Sequence, residues 1–239
     1  IALSEKFKIL LTAARDMTIA VRNMEGQVLR KISSHKDSVN YILIRENIAV
    51  SASDNGEIII WQFPSMRQIY KFLLKINGID ILFFSPNGQL LIAGCVDGKI
   101  RVINISQRKI INTIKLHDSY ILTGTFISDN EFLTGSSNGE IVVYNIKEKM
   151  LKKKMSLNQK SILALIKFKN KIFIGTKSGY LYILNITDYR ILNKIKISNT
   201  GITAISINEL KSIIAIGDDL GVIKLLNLKN LELMKTLGN

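Results

Sequence analysis

An all-β fold, a β-propeller of four-stranded antiparallel blades, is what this sequence predicts, on three observations. A short unit recurs at a nearly constant interval along the 239 residues. Within each unit apolar residues alternate with period two, in runs short enough for strands. Turn residues, most often with a Gly, separate the runs, and no helical pattern intervenes.

Six octets align without gaps: DMTIAVRN from Asp16, NGEIIIWQ from Asn55, DGKIRVIN from Asp97, NGEIVVYN from Asn138, SGYLYILN from Ser178 and LGVIKLLN from Leu220. Their starts lie 39, 42, 41, 40 and 42 residues apart, against a period of about 40–45 residues for a four-stranded propeller blade. Each octet opens on a turn pair, usually with Gly second, where positive φ is cheap. Alternating, largely β-branched residues follow, such as Ile58 and Ile60 or Ile141 and Val143, and read as a third strand.

The other strands take their places around it. Apolar runs precede the turn (Ile9 to Thr12, Ile48 to Ser51, Leu90 to Ala93, Phe132 to Thr134, Ile172 to Ile174, Ile213 to Ile216), and earlier runs such as Val39 to Ile44 and Ile79 to Phe84 precede those. A more basic run follows each octet, such as Gln27 to Ile32 or Arg108 to Leu116. The blades are expected at about 1–32, 33–74, 75–116, 117–156, 157–197 and 198–239 of one domain spanning 1–239. Ile1 to Ser4 read as the end of a first strand, so blade one is expected to be clipped. Because the chain opens on Ile rather than Met, it reads as a piece of a longer protein; the six repeats make either a six-bladed ring or, the favoured expectation, part of a seven-bladed one whose last blade lies outside the chain. One blade cannot bury both faces alone; stacking on neighbours is what hides them.

Composition narrows the function. Hydrophobic residues make up 47% and aromatics 7%, enough for a packed core. No apolar stretch approaches the ~18–20 residues that span a bilayer, and no signal segment opens the chain. The single cysteine, Cys95, excludes an internal disulfide and a CxxC metal site, so cytoplasm or nucleus is the expected location. Two glycosylation-like triplets, from Asn104 and Asn185, are read as chance matches. The formal charge of +14 has two readings. It could mark an RNA or other acidic partner, or reflect a composition rich in Lys, Ile and Asn. Basic residues such as Arg30-Lys31, Arg108-Lys109, Lys147 to Lys154, and Arg190 with Lys194 fall around the fourth strands, where lysine on an exposed edge discourages aggregation.

The second repeat reads Ser34-His35, Ser53, Asn55-Gly56 and Trp61, and here the chain resembles the WD40 repeat family. The family's hydrogen-bonded network of His, Ser or Thr, turn Asp and Trp implies that His35, Ser53, Asn55 and Trp61 form one unit. His117, Ser136, Asn138 and Tyr144 match it more loosely in the fourth repeat. Elsewhere the Trp position holds Arg22, Ile103, Leu184 and Leu226, so apolar packing must hold those blades.

No constellation points to catalysis. Gly135-Ser136-Ser137-Asn138-Gly139 fits a nucleophile-elbow pattern, but that needs a strand-to-helix turn, and here it lies between two strands. Both histidines occupy one repeat position and read as structural. Asp218-Asp219 reads as a solvated turn. A non-enzyme is expected, without cofactor, metal or small-molecule substrate, and without a membrane partner.

The resemblance implies binding through loops at one end of the blades: the turn before the first strand and the turn between the second and third. Loops on a rigid scaffold are where function concentrates. Mapped repeat by repeat, these are Arg15; Lys36, Ser38 and Asp54; Gly78 and Val96; Asp118, Tyr120 and Ser137; Ser161 and Lys177; Gly201 and Asp219. The expected function is a protein-interaction scaffold in a larger intracellular assembly. The alternative is an RNA-associated propeller of a ribonucleoprotein particle using its basic rim.

Overall fold

A computed structural model describes residues 1–158 and 160–238. Among them lie six four-stranded antiparallel sheets, each ordered as its strands follow in the chain. The chain divides into two compact units, Ile1–Asp118 and Ser119–Asn239, with three blades each.

In the first unit, blade one comprises β1 (Ala2–Ser4), β2 (Ile9–Ala13), β3 (Thr18–Arg22) and β4 (Val28–Ser33). Blade two comprises β5 (Val39–Arg45), β6 (Ile48–Ser53), β7 (Glu57–Gln62) and β8 (Arg67–Leu73). Blade three comprises β9 (Ile79–Phe84), β10 (Leu90–Cys95), β11 (Lys99–Asn104) and β12 (Lys109–Lys115). The first strand, β1, is three residues long and pairs with β2 over its whole length. The third strands β3, β7 and β11 are the predicted octets less their turn residues.

Side-chain alternation on β7 builds two cores. Ile59 and Trp61 point back to Leu11, Ile19 and Val21 of blade one. Ile58 and Ile60 point forward to Ile79, Leu82 and Leu91 of blade three. Period two along a strand sends neighbours to opposite faces, so one strand feeds both inter-blade cores. Burying each such side chain contributes about 1.5–3 kcal/mol, and Ile58 and Ile59 are fully buried.

The second unit repeats the construction. Blade four comprises β13 (Ile121–Phe126), β14 (Glu131–Ser136), β15 (Glu140–Asn145) and β16 (Met150–Ser156). Blade five comprises β17 (Ile162–Phe168), β18 (Lys171–Thr176), β19 (Tyr180–Asn185) and β20 (Ile191–Lys196). Blade six comprises β21 (Ile202–Asn208), β22 (Ile213–Asp218), β23 (Ile223–Asn227) and β24 (Leu233–Leu237). Leu133, Ile141 and Val143 pack against Ile162, Ile172, Ile174 and Tyr182. Phe173, Leu181 and Ile183 pack against Ile202, Ile214 and Ile216.

Two local features recur. The turn before the third strand carries positive φ: +80° at Gly56 and +76° at Gly179. A Cβ at Gly179 would lie 2.0 Å from the Ser198 carbonyl oxygen. Blade one places Met17 there, at φ 64°. All six outer strands also bulge where they pass the end of the third strand, between Val21/Arg22, Ile60/Trp61, Val102/Ile103, Val143/Tyr144, Ile183/Leu184 and Leu225/Leu226. A bulge on a free edge spoils it as a template for another strand.

Candidate functional site

The buried polar network of blade two differs from its prediction in two members, Ser51 standing for Ser53 and Glu57 for Asn55. Ser51, not Ser53, joins the histidine to the tryptophan. Trp61 Nε1–H donates to Ser51 Oγ at 2.9 Å, and His35 Nε2 lies 2.6 Å from the same oxygen. The acid is Glu57, whose Oε2 lies 3.3 Å from His35 Nδ1 and whose Oε1 accepts from Lys71 at 3.1 Å. Burial pushes the His35 pKa down, outweighing the pull of Glu57. A neutral ring with its proton on Nδ1 then accepts the Ser51 hydroxyl proton at Nε2. Burial pushes Glu57 up, but Lys71, the Lys36 N–H and His35 outweigh it and hold the carboxyl below its ordinary range.

Ser53 and Asn55 form a separate clasp on the turn. The Ser53 hydroxyl donates to Asn55 Oδ1, which also accepts the Glu57 N–H at 3.1 Å. Blade four repeats it, with the Ser136 hydroxyl donating to Asn138 Oδ1 at 2.6 Å. His117 is buried there, and Tyr144, at the Trp position, lies ring to ring with Phe132 at 5.9 Å. In blade one Arg22 takes the Trp position and donates to Thr12 Oγ1 at 3.2 Å, the counterpart of the Trp61–Ser51 bond. Ser137 lies on the strand–strand turn between β14 and β15.

In blades two to six the two turns singled out meet through one recurring backbone hydrogen bond. Asp54 N–H donates to Ser38 O at 3.0 Å, Val96 to Gly78 at 3.4 Å, Ser137 to Tyr120 at 2.9 Å, Lys177 to Ser161 at 2.9 Å, and Asp219 to Gly201 at 2.9 Å. Neighbouring blades are joined at the same level. In the first unit Gly78 N–H donates to Asp54 O at 2.6 Å; in the second, Ser161 Oγ donates to Ser137 O at 3.0 Å. Each unit therefore carries a tied loop end. Lys36, Lys177, Arg15 and Asp118 are exposed there, and Tyr120 is 55% exposed. The Asp219 carboxylate is partly committed, accepting the Gly201 N–H at 3.1 Å.

Two features of the chain escaped sequence reasoning. Asp80, on β9, buries Oδ2 without a hydrogen bond, and burial first, Asp54 second, push its carboxyl up to about 6. No motif marks such a residue. The second is where the charge sits. Residues 147–196 hold thirteen Lys or Arg against two acids, Glu148 and Asp188, an excess of eleven out of the chain's +14. A running charge count would have found it.

Six blades of this spacing, with the His–Ser–Trp network in one and partial counterparts in others, give the chain the architecture of a WD-repeat β-propeller. Comparison with known proteins agrees. The family described as the anaphase-promoting complex subunit 4 WD40 domain matches residues 45–129. The chain is also similar to the WD repeat-containing protein 55 homologs of Drosophila simulans and Drosophila melanogaster, 25% identical over 235 residues, covering 96% of this chain and 47% of each relative. That of Drosophila ananassae is 23% identical over the same length, with 49% of the relative covered. The chain thus spans about half the length of these curated relatives.

Proposed function

We propose that this chain is a non-catalytic protein-interaction scaffold of an intracellular assembly, and that the tied loop ends of its blades are where partners bind. The recurring bond between the two turns of blades two to six carries the reading. It fixes Ser38 to Asp54, Tyr120 to Ser137 and Ser161 to Lys177, so the exposed side chains beside them stand on an ordered base. Pre-ordered loops lose little entropy on binding, and an exposed Tyr is the sort of anchor that dominates interfaces. The ligand is a protein or peptide surface contacted by Arg15, Lys36, Ser38 and Asp54 on the first unit. On the second unit Tyr120, Ser137, Lys177 and Asp219 make the contact, and Asp118 adjoins Tyr120 in sequence.

Two variants test it separately, Arg15→Glu with Lys36→Glu, and Tyr120→Ala with Lys177→Glu. At least one should lose partner capture from a cell extract, by about tenfold or more, with thermal unfolding unchanged. Capture undiminished in both would rule the loop ends out.

A further inference from the structure

Three of the thirteen basic residues of 147–196 face one place in the second unit, the rim between the outer strands of blades four and five. Val143 and Ile141 face blade five in the shared core. Lys153 and Met155 lie opposite them in register on β16 and so share that face. From the other wall, Tyr182 faces blade four in the same core, and Lys194 and Lys196 lie opposite Tyr182 and Tyr180 on β20. Three lysines therefore line the two walls of one groove, and all three are exposed.

What balances these cations sets this groove apart. Lys194 Nζ and Lys196 Nζ each lie 4.8 Å from the centroid of Tyr180, and Lys194 lies 5.5 Å from that of Tyr182. A ring face attracts an ammonium but carries no charge to cancel it. In blade two the position of Tyr180 is held by Glu57, whose carboxylate takes Lys71, the counterpart of Lys194, at 3.1 Å. In blade three Asp97 holds Arg101, the counterpart of Tyr182, at 2.7 and 2.6 Å. The blade four–five groove has a tyrosine where a carboxylate closes the charge elsewhere. Nearby Lys152 and Lys154 do have acids, Glu148 and Glu140.

The side chains around the lysines select the kind of anion. Met150, Ile191 and Leu192 are 47–51% exposed on the two outer strands. Every ring within 147–196, namely Phe168, Phe173, Tyr180, Tyr182 and Tyr189, is buried or half-buried. Binding single-stranded nucleic acid relies on exposed rings that stack bases. Exposed aliphatics beside point-charge ammonium groups suit carboxylates alternating with apolar residues.

We propose that the groove lined by Lys153, Lys194 and Lys196 binds an acidic, aliphatic-containing peptide segment of a protein partner, at a surface separate from the loop ends. The probe is a short fluorescent peptide alternating Glu and Leu, read by anisotropy at two salt concentrations. Lys153→Glu with Lys194→Glu and Lys196→Glu should weaken binding about tenfold or more. So should Tyr180→Glu, which restores the carboxylate of blade two while keeping the lysines. Arg108→Glu with Lys109→Glu, on blade three, should bind as the unaltered chain does. Lysine acetylation of the unaltered protein supplies a measurement that needs no variant to fold: the peptide should protect Lys153, Lys194 and Lys196. No binding, no protection, or undiminished affinity in the folded variants overturns the proposal. A uridine oligonucleotide that binds more tightly and protects the same lysines overturns it too, in favour of a nucleic acid.

Discussion

Replacing Ser51 by Ala removes the one atom that holds together the buried network of blade two. The Ser51 hydroxyl serves Trp61 Nε1–H at 2.9 Å and His35 Nε2 at 2.6 Å. Trp61 is 1% exposed and His35 7%, so water has little access to either orphan. Leaving a buried donor or acceptor unpaired costs about 1–3 kcal/mol; two of them, with some relaxation, make a loss of about 2–4 kcal/mol. Ser53→Ala removes one bond, to Asn55 on a half-buried turn, and should cost about 0.5–1 kcal/mol. The chain has a single tryptophan, so urea unfolding followed by Trp61 fluorescence reports on this network directly, as a fall in the midpoint at constant slope. A smaller loss in Ser51→Ala than in Ser53→Ala would refute the reasoning and return the network to Ser53.

Two further outcomes follow from single residues. Gly179→Ala forces a Cβ to within 2.0 Å of the Ser198 carbonyl at φ +76°; it should destabilise the second unit by about 2 kcal/mol or more, seen as a lower urea midpoint. Asp80 titrates near 6 in the folded chain and at the ordinary 3.8 when unfolded. Between those values the folded state holds more protons, so stability falls as pH rises through the window and stays lower above it. With allowance for partial solvent access the loss is about 1–2 kcal/mol. Asp80→Asn should abolish this slope and be the more stable protein at pH 7; equal stability of the two from pH 4 to 7 would contradict it.

Much of the fold was legible because it rests on local chemistry. The octets became β3, β7, β11, β15, β19 and β23, since alternating β-branched residues after a turn Gly have few other ways to pack. The paired turns of blades two to six were legible too, as positions that a hairpin ladder brings together. The network was not, in two members. Ser51 and Ser53 are two residues apart on β6 and so point to the same face, and both are fully buried. Spacing alone does not separate them; only the reach of Trp61 does. Glu57 passed as a strand residue because Asn55 fills the place where the family carries an acid. Asp80 gave no signal, since its burial arises only in the assembled fold. The groove was half legible. The charge excess stands in the sequence, whereas the facing of Lys153 toward Lys194 depends on a bulge that shifts the outer strand by one residue.

A photo-crosslinking amino acid, inserted at position 120 or 177 on the loop end of the second unit, tests the binding face most directly. Controls carry it at 130 or 170, on turns at the opposite ends of the strands of the same blades. Capture of a partner from 120 and 177, and not from 130 or 170, is the expected result. Capture from the control turns alone would place the binding surface at the other end of the blades and contradict the proposed function.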